Sequence, residues 1–248
     1  MSEIVEFGKP VKFRIMGREY DGAYGDGMLD TIRRYGYEVP SLCHHEAVPA
    51  YGACRLCLVD VVDKRGRHRI TTSCNYPVQD GIDVLLDTPE VLKHRRVIME
   101  MLLAMVPRSR ELREMAAGMG IEDTRLDKDE KGECILCGLC ERVCTSIVGA
   151  NAIGMTGRGN GKGMGTPYAE ATDACIACGA CVWVCPVKCI GLTEKDGRRT
   201  IERWKRTLPL AVCEKSGREF TPKYLLEHFA KRLGGFPESV FKKAPQYR

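Results

Sequence analysis

The sequence predicts an α+β chain made of several small domains rather than one large core. Three observations lead to this prediction. Apolar and polar residues alternate through the first third of the chain, as in strands with one solvent-facing side. From Thr88 the apolar spacing becomes helical. Twelve of the fourteen cysteines fall into three regularly spaced sets, and such sets can each organise a small domain by binding metal.

Residues 1–87 are predicted to form a domain of strands around one helix. Val11, Phe13 and Ile15 alternate with polar residues, and Asp26 is placed to cap a helix that runs to about Tyr35. The other predicted elements are a turn at Gly17-Arg18, strands at 19–24, 58–63, 67–72 and after Gly81, and a turn at Lys64-Arg65-Gly66.

Residues 88–133 are predicted to be a helical linker. Pro89 suits the first turn of a helix, with Asp87 or Thr88 as its cap. Pro107 ends this helix, and a second is expected over residues 108–117.

Residues 134–192 form the third predicted domain, and residues 193–248 are a C-terminal extension for contacts with other subunits. The glycine-rich insert at 154–165 lacks the spacing of a phosphate-binding loop and is predicted to be a loop or hairpin. The extension is expected to contain one strand, a helix over about 222–233 and an extended tail.

Two cysteine runs have the spacing C-x₂-C-x₂-C-x₃-C, which is that of bacterial ferredoxins with two [4Fe–4S] clusters. In that arrangement the fourth cysteine of each run ligates the other cluster. The predicted ligand sets are therefore Cys134, Cys137, Cys140 and Cys185 for the first cluster, and Cys175, Cys178, Cys181 and Cys144 for the second. Small residues beside these cysteines, among them Ala177 and Ala180, would let backbone N–H groups approach the sulfurs.

A third set, Cys43, Cys54, Cys57 and Cys74, has the spacing C-x₁₀-C-x₂-C-x₁₆-C. This is a variant of the plant-type [2Fe–2S] pattern, whose first gap is four residues. Zinc is the competing metal, but the x₂, x₂, x₃ runs do not resemble the paired knuckles of zinc sites. Disulfides are the other alternative. The amino terminus lacks the basic and apolar regions of an export signal, which predicts a cytoplasmic protein with reduced thiols.

The segments around the third set resemble a known family. Pro40-Ser41-Leu42-Cys43-His44, Gly52-Ala53-Cys54-Arg55-Leu56-Cys57 and Thr72-Ser73-Cys74 are similar to the N-terminal part of the large iron–sulfur subunit of NADH dehydrogenase. They are equally similar to the diaphorase-type iron–sulfur subunit of NAD-linked hydrogenases. The resemblance covers about residues 10–192 and implies a β-grasp [2Fe–2S] domain followed by a 2[4Fe–4S] ferredoxin domain. It also implies that His44 and His45 are neighbours of the cluster rather than ligands.

The chain departs from this family in one segment. The family has a further cluster, held by one histidine and three cysteines, between the two ferredoxin domains. Residues 88–133 contain His94 but no cysteine, so that cluster is expected to be absent and helices to take its place. Two cysteines remain outside the three sets. Cys189 is expected to pack beside a cluster, and Cys213 begins a degenerate C-x₂-C-G knuckle in which serine replaces the second cysteine.

These patterns predict an electron-transfer subunit of a cytoplasmic, anaerobic oxidoreductase complex, with no substrate site of its own. No dinucleotide-binding fingerprint occurs, so NAD(P) and FMN or FAD are expected only on a partner flavoprotein of the NADH-dehydrogenase type. The second partner would be a metal-containing catalytic subunit such as a hydrogenase or formate dehydrogenase. The alternatives are a free polyferredoxin carrier and an iron–sulfur redox sensor. The formal charge of +5 has no accompanying nucleic-acid motif, and no apolar stretch is long enough for membrane insertion.

Overall fold

The computed structural model describes residues 6–234 and 237–247. The chain is α+β, as predicted, and divides into two compact units at residues 1–137 and 138–248. Each unit is described separately.

A five-stranded sheet forms the framework of the first unit. Its elements are β1 (Pro10–Ile15), β2 (Arg18–Ala23), α1 (Met28–Arg34), β3 (Leu58–Val62), β4 (His68–Thr72) and β5 (Asp83–Leu85). The strand order is β2-β1-β5-β3-β4, in which β1 and β5 are parallel and every other pair is antiparallel. Two hairpins separated by a helix, with a central parallel pair, make the β-grasp arrangement that the resemblance implied.

Two local predictions in this sheet need correction. The first hairpin turns at Met16-Gly17, one residue earlier than predicted, because both residues adopt the positive φ angles that a tight two-residue turn requires. Asp26 does not cap α1. The N-cap residue is Gly27, without a side-chain hydrogen bond, and the Asp26 carboxylate lies 3.7 Å from the Arg34 guanidinium instead.

The core of the first unit lies between α1 and the sheet. Alternate residues of β1 are buried, as the sequence pattern predicted, and they pack with Met28, Leu29 and Ile32 of α1 and with the valines of β3 and β5. Each fully buried side chain of this size contributes about 1.5–3 kcal/mol. This core holds both ends of the segment between α1 and β3, which carries three of the cysteines of the third set.

Two helices follow the sheet in the first unit, as predicted. They are α2 (Pro89–Met105) and α3 (Arg110–Gly118). Thr88 Oγ1 accepts a hydrogen bond from Val91 N at 3.3 Å and caps α2, and Ser109 Oγ does the same for α3. Helix α2 packs against β3, the strand that begins directly after Cys57.

The second unit combines short helices with two antiparallel sheets. In chain order it contains α4 (Leu139–Arg142), a π-helix (Val143–Val148), β6 (Gly154–Thr156), β7 (Gly163–Gly165), α5 (Ala180–Val184), β8 (Leu192–Lys195), β9 (Arg198–Ile201), β10 (Arg206–Val212), β11 (Glu219–Pro222), α6 (Lys223–Leu233) and α7 (Glu238–Phe241). Strands β6 and β7 form the hairpin expected in the glycine-rich insert.

The C-terminal region is more ordered than its sequence indicated. Where one strand was expected, β8–β11 form a four-stranded sheet in the order β11-β10-β9-β8. The residues of β8 and most of β9 are polar, so these strands lack the apolar alternation on which a sequence-based prediction depends. None of the helices within the described residues is both long enough and apolar enough to cross a membrane.

Candidate iron–sulfur centres

The first unit brings the four cysteines of the third set together. Cys43, Cys54 and Cys57 lie on the segment between α1 and β3, and Cys74 lies on a short 3₁₀ helix directly after β4. All four are at least 95% buried. The Ser73 backbone N–H and hydroxyl both donate to the Cys57 carbonyl oxygen at 2.8 Å, which fixes Cys74 next to Cys57.

The four thiols form two hydrogen-bonded pairs. Cys43 pairs with Cys54, and this contact, together with burial, raises the pKa of Cys54. In the other pair the Cys74 thiol donates to Cys57, which lowers the pKa of Cys57 to about 6 and raises that of Cys74. The protons shared within these pairs are the ones that metal binding displaces, because the thiolate is the form that ligates iron.

The pairing suits a centre with two metal ions rather than one. Among the described side chains no group of three His, Cys, Asp or Glu residues is arranged around a single metal ion. Two pairs of sulfurs instead offer each of two irons two thiolates, which is the ligand set of a [2Fe–2S] cluster. The residues present therefore fit this cofactor.

The backbone of the cysteine segment is shaped so that its N–H groups point at sulfur. Leu42 N donates to Cys54 Sγ at 3.3 Å and Cys54 N to Cys43 Sγ at 3.4 Å. Arg55, between two of the cysteines, has a φ of 61°, in the left-handed region that costs a non-glycine residue energy. At Gly52 a Cβ atom would lie 3.0 Å from Asn75 Nδ2, so glycine permits the close approach to the 3₁₀ helix that carries Cys74.

The second unit brings together the four cysteines predicted for the second [4Fe–4S] cluster. Cys144 is contributed by the π-helix, and Cys175, Cys178 and Cys181 by the second run. All four line one cavity, whose remaining walls are apolar and include Ile153, Ile176, Ile201 and Trp204. Thus the fourth cysteine of the first run joins the first three cysteines of the second run.

Each of these four sulfurs accepts a hydrogen bond from an N–H group. Ala152 N donates to Cys144 Sγ at 3.4 Å, and the backbone N–H groups of Ala177 and Ala180 donate to Cys175 and Cys178. The fourth donor is a side chain, because Trp204 Nε1 donates to Cys181 Sγ at 3.3 Å in a buried contact. Four sulfurs on one apolar cavity, each with an N–H donor, fit a [4Fe–4S] cluster.

The two cysteine runs share an unusual backbone conformation. Leu136 and Ala177, which precede the second cysteine of each run, have φ angles of 54° and 48°, and the glycines that follow those cysteines have φ angles of 71° and 82°. Positive φ at both positions curls the chain so that N–H groups face the sulfurs. In the first run this is seen as the hydrogen bond from Leu136 N to Cys134 Sγ at 3.4 Å.

Burial dominates the electrostatics of the cysteines around this cavity. It raises the pKa values of Cys175 and Cys178, and raises that of Cys181 to about 12 against the opposing effect of Trp204. Buried thiolates are costly without compensation. The compensation here comes from the N–H donors and from two arginines, since Arg206 lowers the pKa of Cys175 and Arg199 that of Cys178.

Strands β9 and β10 contribute residues to this cavity that the sequence analysis missed. Arg206 Nε donates to the Cys175 carbonyl oxygen at 3.0 Å and its Nη1 to Asp173 Oδ1 at 2.8 Å. Trp204 is only 2% exposed. No spacing rule links these residues to cysteines more than 20 positions away, so no sequence signal indicated them.

Replacing Trp204 by phenylalanine is expected to lower the reduction potential of the centre at Cys181. An N–H bond to sulfur stabilises the reduced, more negative form of the site, and a bond worth about 1 kcal/mol corresponds to about 40 mV for one electron. A potentiometric titration followed by EPR measures this shift. The matched control is Trp183→Phe, because Trp183 on α5 is 80% exposed. Equal potentials in both variants would contradict the role of Trp204.

The predicted ligands of the first [4Fe–4S] cluster fall in both units. Cys134 and Cys137 end the first unit, while Cys140 and Cys185 belong to the second, where α4 and α5 pack against each other. Cys189 lies beside Cys185, with 3.6 Å between the two sulfurs. Its thiol donates to Cys185 and lowers the pKa of Cys185 to about 6.

The histidines next to the third set have other partners. His44 Nε2 lies 2.7 Å from Asp30 Oδ1, and His45 Nδ1 accepts from Ala47 N at 3.1 Å. Cys213, in the degenerate knuckle, is fully buried. Its sulfur accepts from Ala244 N at 3.3 Å, and hydrogen bonds from Ala244 and then from Ser216 lower the pKa of Cys213 to about 7. Its surroundings therefore satisfy the sulfur without a second cysteine.

Two family matches cover both cysteine-rich regions. Residues 8–89 match a family described as "2Fe-2S iron-sulfur cluster binding domain", and residues 133–189 match one described as "4Fe-4S dicluster domain". The segment between these matches is the one that contains α2 and α3.

Three curated relatives share 29–30% identity with this chain. They are the alpha subunit of the NADPH-Fe(3+) oxidoreductase of Geobacter sulfurreducens (30% identity, 82% of this chain, 26% of the relative), a subunit of the NADH-quinone oxidoreductase of Rhizobium meliloti (29%, 71% and 23%) and the mitochondrial NADH-ubiquinone oxidoreductase 78 kDa subunit of Neurospora crassa (29%, 84% and 31%). The aligned chain thus spans about a quarter to a third of their length.

A solved structure supports the same relationship. A chain in the crystal structure of an NAD⁺-reducing [NiFe]-hydrogenase in the H₂-reduced state matches with a TM-score of 0.56 and 25% identity. The match covers 63% of this chain and 74% of that chain.

Proposed function

Because this chain joins a 2Fe–2S cluster binding domain to a 4Fe–4S dicluster domain and is homologous to subunits of NADH-quinone and NADPH-Fe(3+) oxidoreductases, we propose that it relays single electrons within an oxidoreductase complex. The resemblance found in its sequence is confirmed by these matches. The observation that carries the proposal is the grouping of buried cysteines into two separate sulfur-lined sites, one in each unit.

The proposal assigns three clusters to the chain. One [2Fe–2S] cluster is held by Cys43, Cys54, Cys57 and Cys74, one [4Fe–4S] cluster by Cys134, Cys137, Cys140 and Cys185, and the other by Cys144, Cys175, Cys178 and Cys181. Bound clusters of these kinds supply one-electron redox chemistry. The chain ligates them, excludes water with apolar side chains such as Ile153 and Ile176, and directs N–H groups at the sulfurs.

The proposed partners are a flavoprotein and a catalytic subunit. The names of the relatives pair them with NADH and NADPH, and the solved structure is an NAD⁺-reducing hydrogenase. Since this sequence contains no dinucleotide fingerprint, NAD(P) and flavin would bind the flavoprotein. The metal-containing catalytic subunit would be a hydrogenase, a formate dehydrogenase or another low-potential enzyme in a cytoplasmic complex.

Anaerobic purification of the native protein tests this proposal. We expect a flavoprotein and a metal-containing subunit to co-purify and to be identified by mass spectrometry. We also expect about ten iron atoms per copy of this chain, the sum of one two-iron and two four-iron clusters. EPR of the isolated reduced chain should show one [2Fe–2S] and two [4Fe–4S] signals.

A different outcome would favour the carrier alternative. Recovery of the chain alone, fully loaded with iron at low and at high ionic strength, would contradict the subunit proposal and leave a freely diffusing ferredoxin. A chain that binds zinc instead of iron under anaerobic conditions would contradict the cluster assignment itself.

A further inference from the structure

A buried arginine on α2 lies beside the candidate [2Fe–2S] centre. Arg95 is 93% buried, since only 7% of its surface is exposed. Its Nη2 donates to the Leu58 carbonyl oxygen at 2.5 Å, and Leu58 follows Cys57 directly in the chain. Helix α2 belongs to the cysteine-free segment between the two family matches, to which the proposed function assigns no role.

The positive charge of Arg95 is poorly compensated by the protein. Its Nε has no hydrogen-bond partner among the described residues. Burial lowers the pKa of Arg95, and the charges that oppose this effect are first Cys57 and then Asp87. No carboxylate of the described chain forms an ion pair with Arg95, in contrast to Arg125, whose guanidinium is 2.7 Å from Glu100 Oε2. A buried charge without a counter-charge is costly.

A [2Fe–2S] cluster with four thiolate ligands would supply the missing counter-charge. Such a site carries about two negative charges when oxidised and gains one more on reduction. A fixed positive charge nearby stabilises the reduced form more than the oxidised form, because the attraction grows with the charge of the site. Reduction here is the addition of one electron, and no bond is formed or broken.

We propose that Arg95 is the counter-charge of the centre at Cys57 and that it raises the reduction potential of that centre. The inference rests on the proposed [2Fe–2S] site, and Arg95 acts on that site as a positioning and electrostatic residue rather than as a ligand. In this reading α2 takes part in electron transfer by tuning the centre in the neighbouring sheet domain.

Potentiometric EPR titration of the complete chain tests the proposal. Arg95→Gln is expected to shift the reduction equilibrium of the [2Fe–2S] centre about tenfold toward the oxidised form, or about 59 mV for one electron. Arg95→Lys keeps the charge and is expected to retain most of the native potential. Arg96→Gln is the matched control, since exposed Arg96 is the next residue and donates to the Gly120 carbonyl oxygen. It should leave the potential unchanged.

The possible outcomes separate this inference from the site on which it rests. Absence of any [2Fe–2S] signal from the native chain would refute the proposed centre itself. A normal signal whose potential is unchanged in Arg95→Gln would refute only the role of Arg95. If Arg95→Gln does not fold, Arg95→Lys decides the matter, because a lysine variant with a tenfold shift would show that the positive charge is not the determinant.

Discussion

Replacing Cys144 by alanine is expected to remove the [4Fe–4S] cluster of the second cysteine run, although Cys144 belongs to the first run in the sequence. The reason is geometric. Cys144 lines the same cavity as Cys175, Cys178 and Cys181, and its sulfur is held there by the hydrogen bond from Ala152 N. Loss of one of four thiolates leaves one iron without its protein ligand. The iron content per chain should therefore fall, and one of the two [4Fe–4S] EPR signals should disappear.

The control for this experiment is Cys140→Ala, in the same run and in the same unit. It should remove the other [4Fe–4S] signal. The signals can be told apart by Trp204→Phe, because Trp204 contacts Cys181 and its loss should shift the potential of the cluster at that cysteine. If the signal lost in Cys144→Ala is the one that Trp204→Phe leaves unshifted, the crossed ligand assignment is wrong.

Replacing Cys57 by alanine is expected to abolish the [2Fe–2S] signal and to leave both [4Fe–4S] signals in place. Cys57 is 1% exposed and its carbonyl oxygen accepts two hydrogen bonds from Ser73, so the change removes a ligand from the centre of the site. The first unit has a hydrophobic core of its own, and the second unit contains its own set of buried cysteines. Independent loss of one centre follows from this division.

The measurement is EPR of the reduced variant, combined with iron and sulfide analysis and a circular dichroism spectrum. Cys213→Ala is the matched control, because Cys213 is also fully buried but belongs to none of the three sets. It should retain all three signals. Loss of every cluster signal in Cys57→Ala, with the control intact, would mean that the two regions fold as one cooperative unit.

The sequence reached the elements whose causes are local. Alternation of apolar residues placed β1, and Thr88 with Pro89 placed the start of α2, because a strand face and a helix cap are decided within a few residues. The same locality explains the misplacements. The Met16-Gly17 turn was predicted one residue late, and Asp26 was taken as a cap because its residue type is common there, although its carboxylate lies near Arg34 instead.

The sequence by itself also determined the chemistry of the chain. Thiolates at fixed short spacings can reach the corners of one cluster only through tight backbone turns, so the composition and spacing of the cysteine runs point to iron and sulfur before any fold is known. The tertiary structure alone decided which distant groups surround those sulfurs. Trp204 and Arg206 reach the cavity because β9 and β10 pair into a sheet beside it, and Arg95 reaches the Cys57 region because α2 packs on β3. Such contacts join residues about 20 to 40 positions apart, and no local pattern encodes them, since they depend on how whole elements pack.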